Sequence, residues 1–371
     1  MENLGLLQYH PTVYVFDREY QLLIPMTHSA LCWVQVGDET YYDHCAGIMR
    51  TDTLLHRVYV PQEVLDRAGS YTVHYRKMLE RLPYDPISED TVSFTYSFKP
   101  VPAKEARFCH LSDVHDCIDL AIQTAGYMGS YDALILNGDI PNHSGERAFL
   151  LEILRLTSVL TKGGMPVLFS RGNHDTRGYY GEHFGDYCPH REGRTYFTFR
   201  LGDIWGLVLD CGEDKEDTYP AYGHTAAFHP FREDQTRFIK EIIAHGDQEF
   251  DAPGVKHKVV VCHHPFCHVP KAPFDIEQDI YKEWCDLIGA HIQPEVFIAG
   301  HTHVPGLFLP GGELDQLGQF APVVIGGKPC KKSWKNLEAA YYIINEEEIA
   351  VTIYEDTGKV THDIHLPMEE A

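Results

Sequence analysis

Between residues 12 and about 100, short apolar runs alternate with polar positions at period two, broken by Gly, Pro, Asp or Asn. That is the pattern of strands with one buried face. The segments 12–16, 20–24, 30–36, 40–42, 57–60, 70–75 and 91–98 are rich in aromatic and β-branched residues. About seven such strands in roughly 100 residues predict an all-β immunoglobulin- or fibronectin-like sandwich over residues 1–103. Residues 99–104, Lys-Pro-Val-Pro-Ala-Lys, read as a linker.

From Arg107 the rhythm changes. Apolar runs now alternate with helical patterns, such as 146–160 and 232–244. The alternation predicts an α/β (or α+β) domain over 104–371 with a largely parallel or mixed sheet. The tail returns to strands at 340–344, 349–354 and 360–366, expected to complete a second sheet. A length of 371 residues fits two domains.

The candidate chemistry lies in five short segments: Asp113-Val-His115, Gly138-Asp139, Gly172-Asn-His-Asp175, His263-His-Pro265 and Gly300-His-Thr-His303. Each follows an apolar run that reads as a buried strand: 108–111, 133–136, 167–169, 259–261 and 296–299. Loops at the carboxyl ends of adjacent strands in an α/β sheet converge on one crevice. Single matches mean little, since Asp363-Ile-His365 and Gly223-His-Thr225 repeat fragments of the same motifs. Five in one order, each at a strand end, is a specific signal.

That order resembles the calcineurin-like metallophosphoesterase family over about residues 105–330, which implies a sandwich of two mixed sheets flanked by helices. The preceding strands resemble the N-terminal domain of plant-type purple acid phosphatases. The resemblance implies two divalent metal ions, with Mn, Fe and Zn all suited to the donor set. It implies one ion on Asp113, His115 and His303, a second on Asn173, His263 and His301, and Asp139 bridging them. A water between two such ions becomes the nucleophile on phosphorus. His174 then protonates the leaving alkoxide, with Asp175 orienting its ring. His263 fits the ligand position of the His-x-Pro motif, which leaves His264 to face substrate. The expected activity is hydrolysis of a phosphomonoester or small phosphodiester. A non-catalytic scaffold retaining the metal site, a nuclease of the same fold and a hydrolase of other bonds are the rival readings. Purple acid phosphatases carry a tyrosine three residues after the bridging aspartate; here Asn142 stands there, as in the divalent-metal phosphodiesterase branch.

Charge narrows the substrate. A formal net charge of −23 disfavours a broad nucleic-acid surface but not a small anionic ester held by metal. No apolar stretch approaches the ~20 residues of a membrane span. Residues 1–8 lack the basic cluster of a secretory signal. Ten cysteines lie without patterned spacing and read as buried free thiols, so a cytoplasmic protein is expected.

Around the motifs, Arg171 and Arg177 are candidates for binding a phosphate oxygen. Tyr179, Tyr180 and His183 either wall the substrate pocket or simply pack. His268 lines the cleft or the surface, and Glu213-Asp-Lys-Glu-Asp217 reads as a solvated loop.

Overall fold

The computed structural model describes residues 3–331 and 335–368. Met1 and Glu2, part of the stretch read for a secretory signal, lie outside these. The N-terminal strands are β1 (Thr12–Phe16), β2 (Glu19–Pro25), β3 (Ala30–Val36), β4 (Glu39–Tyr42), β5 (His44–Cys45), β6 (Ile48–Met49) and β7 (Leu55–Pro61). Helix α1 (Gln62–Ala68) precedes β8 (Ser70–Glu80), β9 (Ile87–Ser88) and β10 (Val92–Ser97). Next come β11 (Glu105–Leu111), α2 (Ile118–Ala125), β12 (Ala133–Asn137), α3 (Arg147–Thr161) and β13 (Pro166–Ser170). The second half holds β14 (Phe197–Leu201), β15 (Ile204–Val208), α4 (Phe228–Ala244), β16 (His257–Val261), α5 (Gln278–Leu287), β17 (Val296–Ala299), β18 (Gly306–Phe308) and β19 (Val323–Ile325). The strands β20 (Glu338–Asn345), β21 (Glu348–Glu355) and β22 (Val360–Pro367) close the chain.

Two large sheets pack face to face between helical layers. The first has nine strands in the order β22-β21-β20-β11-β12-β13-β1-β2-β7, the second six in the order β14-β15-β16-β17-β19-β18. In the first, β11, β12 and β13 run parallel, joined by crossovers through α2 and α3. Every residue of β12 and β13 is buried, as a parallel strand covered on both faces requires. Between the sheets, Phe108, Ile135 and Leu168 meet Phe197, Val208, Val261 and Ile298 in one apolar cluster. Helix α3 turns Leu150, Ile153 and Leu154 onto the outer face of the first sheet, where they join Leu134, Leu136 and Phe169. The spacing i, i+3, i+4 makes that stripe.

The N-terminal segment does not form a separate sandwich. β1 pairs in parallel with β13, Val13 opposite Pro166, and β2 and β7 extend the same sheet. The reason lies in β1, whose five residues Thr-Val-Tyr-Val-Phe are all buried. Tyr14 belongs to the cluster under α3, whereas Val13, Val15 and Phe16 face the inter-sheet core. In a two-layer sandwich the outer face of such a strand would be bare, whereas here layers cover both. β10-β8-β3-β4, with β9 on β8, form a separate antiparallel sheet and β5-β6 a small two-stranded one; Val34 and Val73 on the former belong to the inter-sheet cluster.

The tail also departs from expectation. β20 pairs antiparallel with β11, so β20 to β22 extend the first sheet and not the second. Ala339, Ala340, Tyr342 and Ile344 on β20 are buried and cover what would otherwise be an open edge of β11. All ten cysteines are free. Among the described residues no helix is long and apolar enough to cross a membrane.

Candidate metal centre

The five motifs leave their strands at one end of the two sheets. Asp113 and His115 follow β11, Asp139 follows β12, Asn173 and His174 follow β13, His263 follows β16, and His301 and His303 follow β17. Five of these residues have left-handed backbone: Asp113 (φ 55°), His115 (45°), Asp139 (54°), His301 (66°) and His303 (57°). Such residues cost of order 1 kcal/mol or more each and cluster where surroundings enforce a functional geometry. The motif glycines serve the same crowding. A Cβ on Gly172 would collide with Asp139 Oδ1, and one on Gly300 with Ser112 Oγ.

The side chains converge in two sets sharing a centre. Asp113, His115 and His303 offer ligand atoms all within 4.8 Å of one another, and so do Asp139, His263 and His301. His303 Nε2 lies 3.1 Å from Asp113 Oδ1 and 3.3 Å from His115 Nε2. Asp139 Oδ2 lies between the sets, 3.6 Å from His115 Nε2 and 3.3 Å from His263 Nε2. The Asn173 Oδ1 atom is 3.1 Å from His301 Nδ1 and brings an amide to the second set. Ser112 Oγ and the His301 N–H both donate to Asp113, fixing its carboxylate.

Electrostatics reinforce the picture. Burial alone would lower the His263 pKa, but Asp139 and Asp113 overcome it and raise it to about 10. Burial alone would raise that of Asp113, yet His263 and His303 hold it at about 2. Burial lowers His115 and His301 to about 4 each.

These residues fit a divalent cation pair on one geometric ground. His263 Nδ1 donates to the Asn137 carbonyl at 2.7 Å, which leaves Nε2 to present its lone pair inward. That Nε2 is buried without a hydrogen-bond partner and faces carboxylate oxygens of Asp139 and Asp113 at 3.3 and 3.8 Å. Facing two carboxylates, Nε2 calls for a positive partner: its own proton in the metal-free protein, in keeping with the raised pKa, or a divalent cation that displaces that proton.

His174 stands beside this centre, its Nε2 4.0 Å from Asp139 Oδ2. Its Nδ1 donates to the Asn142 carbonyl at 2.7 Å, and its Nε2 accepts from Arg177 Nη1 at 3.0 Å. Asp175 does not orient the ring, contrary to expectation. It is wholly buried, and its Oδ2 accepts from the N–H groups of Gly172 (2.7 Å) and Asp139 (3.1 Å). Burial and the Asp139 charge raise its pKa to about 8. Asp175 thus ties together the loops that follow β12 and β13.

The loop 213–217 is not simply solvated. Glu213 is buried and holds Arg177 through Nε–Oε1 (2.8 Å) and Nη2–Oε2 (2.8 Å) bonds. Asp214 meets Arg177 at 3.2 Å and approaches Asn173 Nδ2 at 3.4 Å. The loop is clamped by a polar stripe on α4: Arg232 donates to the carbonyls of Cys211 and Glu213, and Gln235 pairs with the backbone of Asp210. On the opposite flank, Lys331 Nζ lies 3.4 Å from Asn142 Oδ1. Sequence reasoning missed Glu213, Asp214 and Lys331, none of which sits in a recognisable motif.

The remaining candidates divide. Arg177 reaches the centre, whereas Arg171 pairs with Asp210 at 2.8 Å and stacks on Phe228 and Phe231. Tyr179, exposed by 75%, lines a separate cavity of about 850 Å³ with Arg171 and Arg177. Tyr180 packs against the cluster under α3, and His183 is half exposed beside Glu182 and Asp186. His264 stacks on His301 at 3.9 Å between ring centres, and neither of its ring nitrogens has a hydrogen-bond partner. His268 lines the cavity that holds Asp139, Asn173, His301 and His303, its Nδ1 2.8 Å from Gln316 Oε1.

The signature of the calcineurin-like phosphoesterases spans residues 106–305, more than half of the chain. The chain belongs to that family and is a phosphoric ester hydrolase with a metal-binding site. Its fold is that of a purple acid phosphatase, PPD1, from yellow lupin (Lupinus luteus) seeds, with a TM-score of 0.61 at 11% identity. That likeness covers 97% of this chain, N-terminal strands included, and 74% of the lupin one. A predicted phosphoesterase from Streptococcus pneumoniae TIGR4 matches less well, at a TM-score of 0.35 and 12% identity over 71% of this chain and 98% of its own. Among curated proteins none matches the sequence.

Proposed function

We propose that the protein hydrolyses a phosphomonoester or small phosphodiester, using two divalent cations and His174 as general acid. Asp113, His115 and His303 would hold one cation, Asn173, His263 and His301 the other, and Asp139 both. When bound, the pair lowers the pKa of a water and neutralises charge on the phosphoryl oxygens. The observation that carries the reading is Asp139 Oδ2, 3.6 and 3.3 Å from a histidine of each set, the place of a bridging carboxylate.

The chain's own groups supply the rest. As oxygen from water bonds to phosphorus, the bond to the leaving alcohol oxygen breaks, and that oxygen takes a proton from Nε2 of His174. The ring enters the step as the imidazolium, protonated from solvent once Arg177 has turned from Nε2 to a phosphoryl oxygen. The Asn142 carbonyl fixes the ring's direction through Nδ1, which reserves Nε2 for the reaction. Neither ring nitrogen is then left for a metal, although His174 also lies within 4.8 Å of ligand atoms on His115 and Asp139. Arg177, pinned by Glu213, brings a positive edge to the same place, where a phosphoryl oxygen can replace His174 as its partner.

Elemental analysis of the protein and of Asp139→Asn tests the assignment. About two ions per chain are expected, with at least one lost in the variant. Full retention of both ions in Asp139→Asn would remove the bridging role.

A further inference from the structure

Beside the candidate metal centre opens a cavity of about 580 Å³, with Asp139, Asn173, His301 and His303 at its floor. Its walls are largely apolar, broken by Asp214, His268 and Thr302. Pro270 and Phe274 come from the loop after His263-His-Pro265, Val304 and Phe308 from the chain after His303, and Leu314 closes the side. Val304 is 57% exposed and Phe274 37%, large apolar groups held open to solvent at the mouth of a polar centre. Among the described residues no lysine or arginine lines the cavity. Lys215 stands behind the wall, its ammonium over the Phe274 ring at 4.5 Å and bonded to Asp214 Oδ1 at 2.5 Å. Glu313 at the rim adds negative charge.

The phosphoryl group has its place on the floor, so the cavity receives what the phosphate is attached to. A second anionic group there would meet Glu313 and no cation, in a chain of formal charge −23. A polyol would find only Thr302, His268 and the carboxylates of Asp214 and Glu313 to pair with, and would leave its other hydroxyls against proline, phenylalanine, valine and leucine. Resting on the phosphoesterase reading above, we infer that the alcohol side of the ester is an uncharged apolar group, a branched alkyl or a ring, and that the phosphoryl group is the only charge on the substrate. The cavity's volume suits one such group and falls within the range of small-ligand pockets.

The test is a kcat/KM comparison on metal-loaded protein between 3-methylbutyl phosphate, glycerol 3-phosphate and ADP. The apolar ester has the poorer leaving group of the two simple esters, so faster turnover of it reports binding and not intrinsic reactivity. A preference of about tenfold or more over glycerol 3-phosphate is expected, with ADP slower still. In Val304→Ser and Phe274→Ser the ratio of the two kcat/KM values should fall toward one, through KM of the apolar ester. Equal turnover of all three compounds, or a ratio unmoved in both variants, overturns the inference while leaving the phosphoesterase reading intact. Hydrolysis of none of them overturns the inference, and if bis(4-nitrophenyl) phosphate is untouched as well, the phosphoesterase reading falls with it.

Discussion

The Nη1 atom of Arg177 stands 3.0 Å from Nε2 of His174. Arginine only donates, so Nε2 accepts and the proton of the neutral imidazole sits on Nδ1, bonded to the Asn142 carbonyl. Burial lowers the His174 pKa, Asp139 draws it back up, and Arg177 depresses it again. The same Arg177 is gripped by Glu213 at two points, so its direction is set by a carboxylate buried to 3% exposure.

Releasing that grip should misplace the guanidinium. Glu213→Gln is expected to lower kcat/KM by about 10–100-fold, the scale of a misaligned positioning group. Metal content should be unchanged, because Glu213 is not among the ligands. A variant of undiminished activity would show that Arg177 needs no such support.

Removing the acid gives a different signature. His174→Asn should cut kcat by about 10²–10⁴-fold on an alkyl phosphate and much less on a nitrophenyl ester, whose leaving group needs little protonation. Equal losses on both esters would point to binding or metal retention in place of proton donation, and elemental analysis then separates those two.

The position after Gly138-Asp139 predicts a spectrum. Asn142 gives its carbonyl to His174 and its N–H to Asp116, and a neutral amide supplies no phenolate. Protein loaded with iron should therefore lack an intense visible tyrosinate band. The nearby Tyr179 points into the 850 Å³ cavity and Tyr180 into the packing under α3. A strong band abolished by mutating either tyrosine would contradict this.

Acid stability offers a test on a residue that is not itself a ligand. His110 on β11 is wholly buried, its ring against Tyr342, and neither ring nitrogen has a hydrogen-bond partner. Burial lowers its pKa from 6.5 to about 3. Between those values the unfolded chain binds the proton and the folded chain does not, so stability falls as pH falls. This one residue contributes a slope of about 1.4 kcal/mol per pH unit. Denaturant unfolding of His110→Leu should show an acid limb shallower by that amount, and parallel limbs for the two proteins would refute the assignment.

Much of this was legible in the chain. The seven N-terminal apolar runs fall on seven of the strands, because period two reports a pleated face directly. The five motifs meet because each follows a buried run ending at the same end of the two packed sheets. Sheet membership was not legible: Thr12–Phe16 announces a strand, but nothing local says that its neighbour is β13. Glu213 and Asp214 were hidden for a related reason. A run of charges reads as solvated until Arg177 and Arg232 arrive from elsewhere in the sequence to bury it. Asp175 misled because its adjacency to His174 along the chain says nothing about the direction of its carboxylate.

The pairing of β1 with β13 reaches beyond architecture. β13 is the strand that delivers Gly172 and Asn173, and Val13 and Tyr14 lie against its Pro166 and Val167. A gene trimmed to begin near residue 104 would strip that flank, leaving a row of unsatisfied backbone donors and acceptors beside the catalytic loop. Bare edges of this kind recruit other chains. The first hundred residues are therefore not detachable cargo: a shortened version made for expression would be expected to aggregate before it could be assayed.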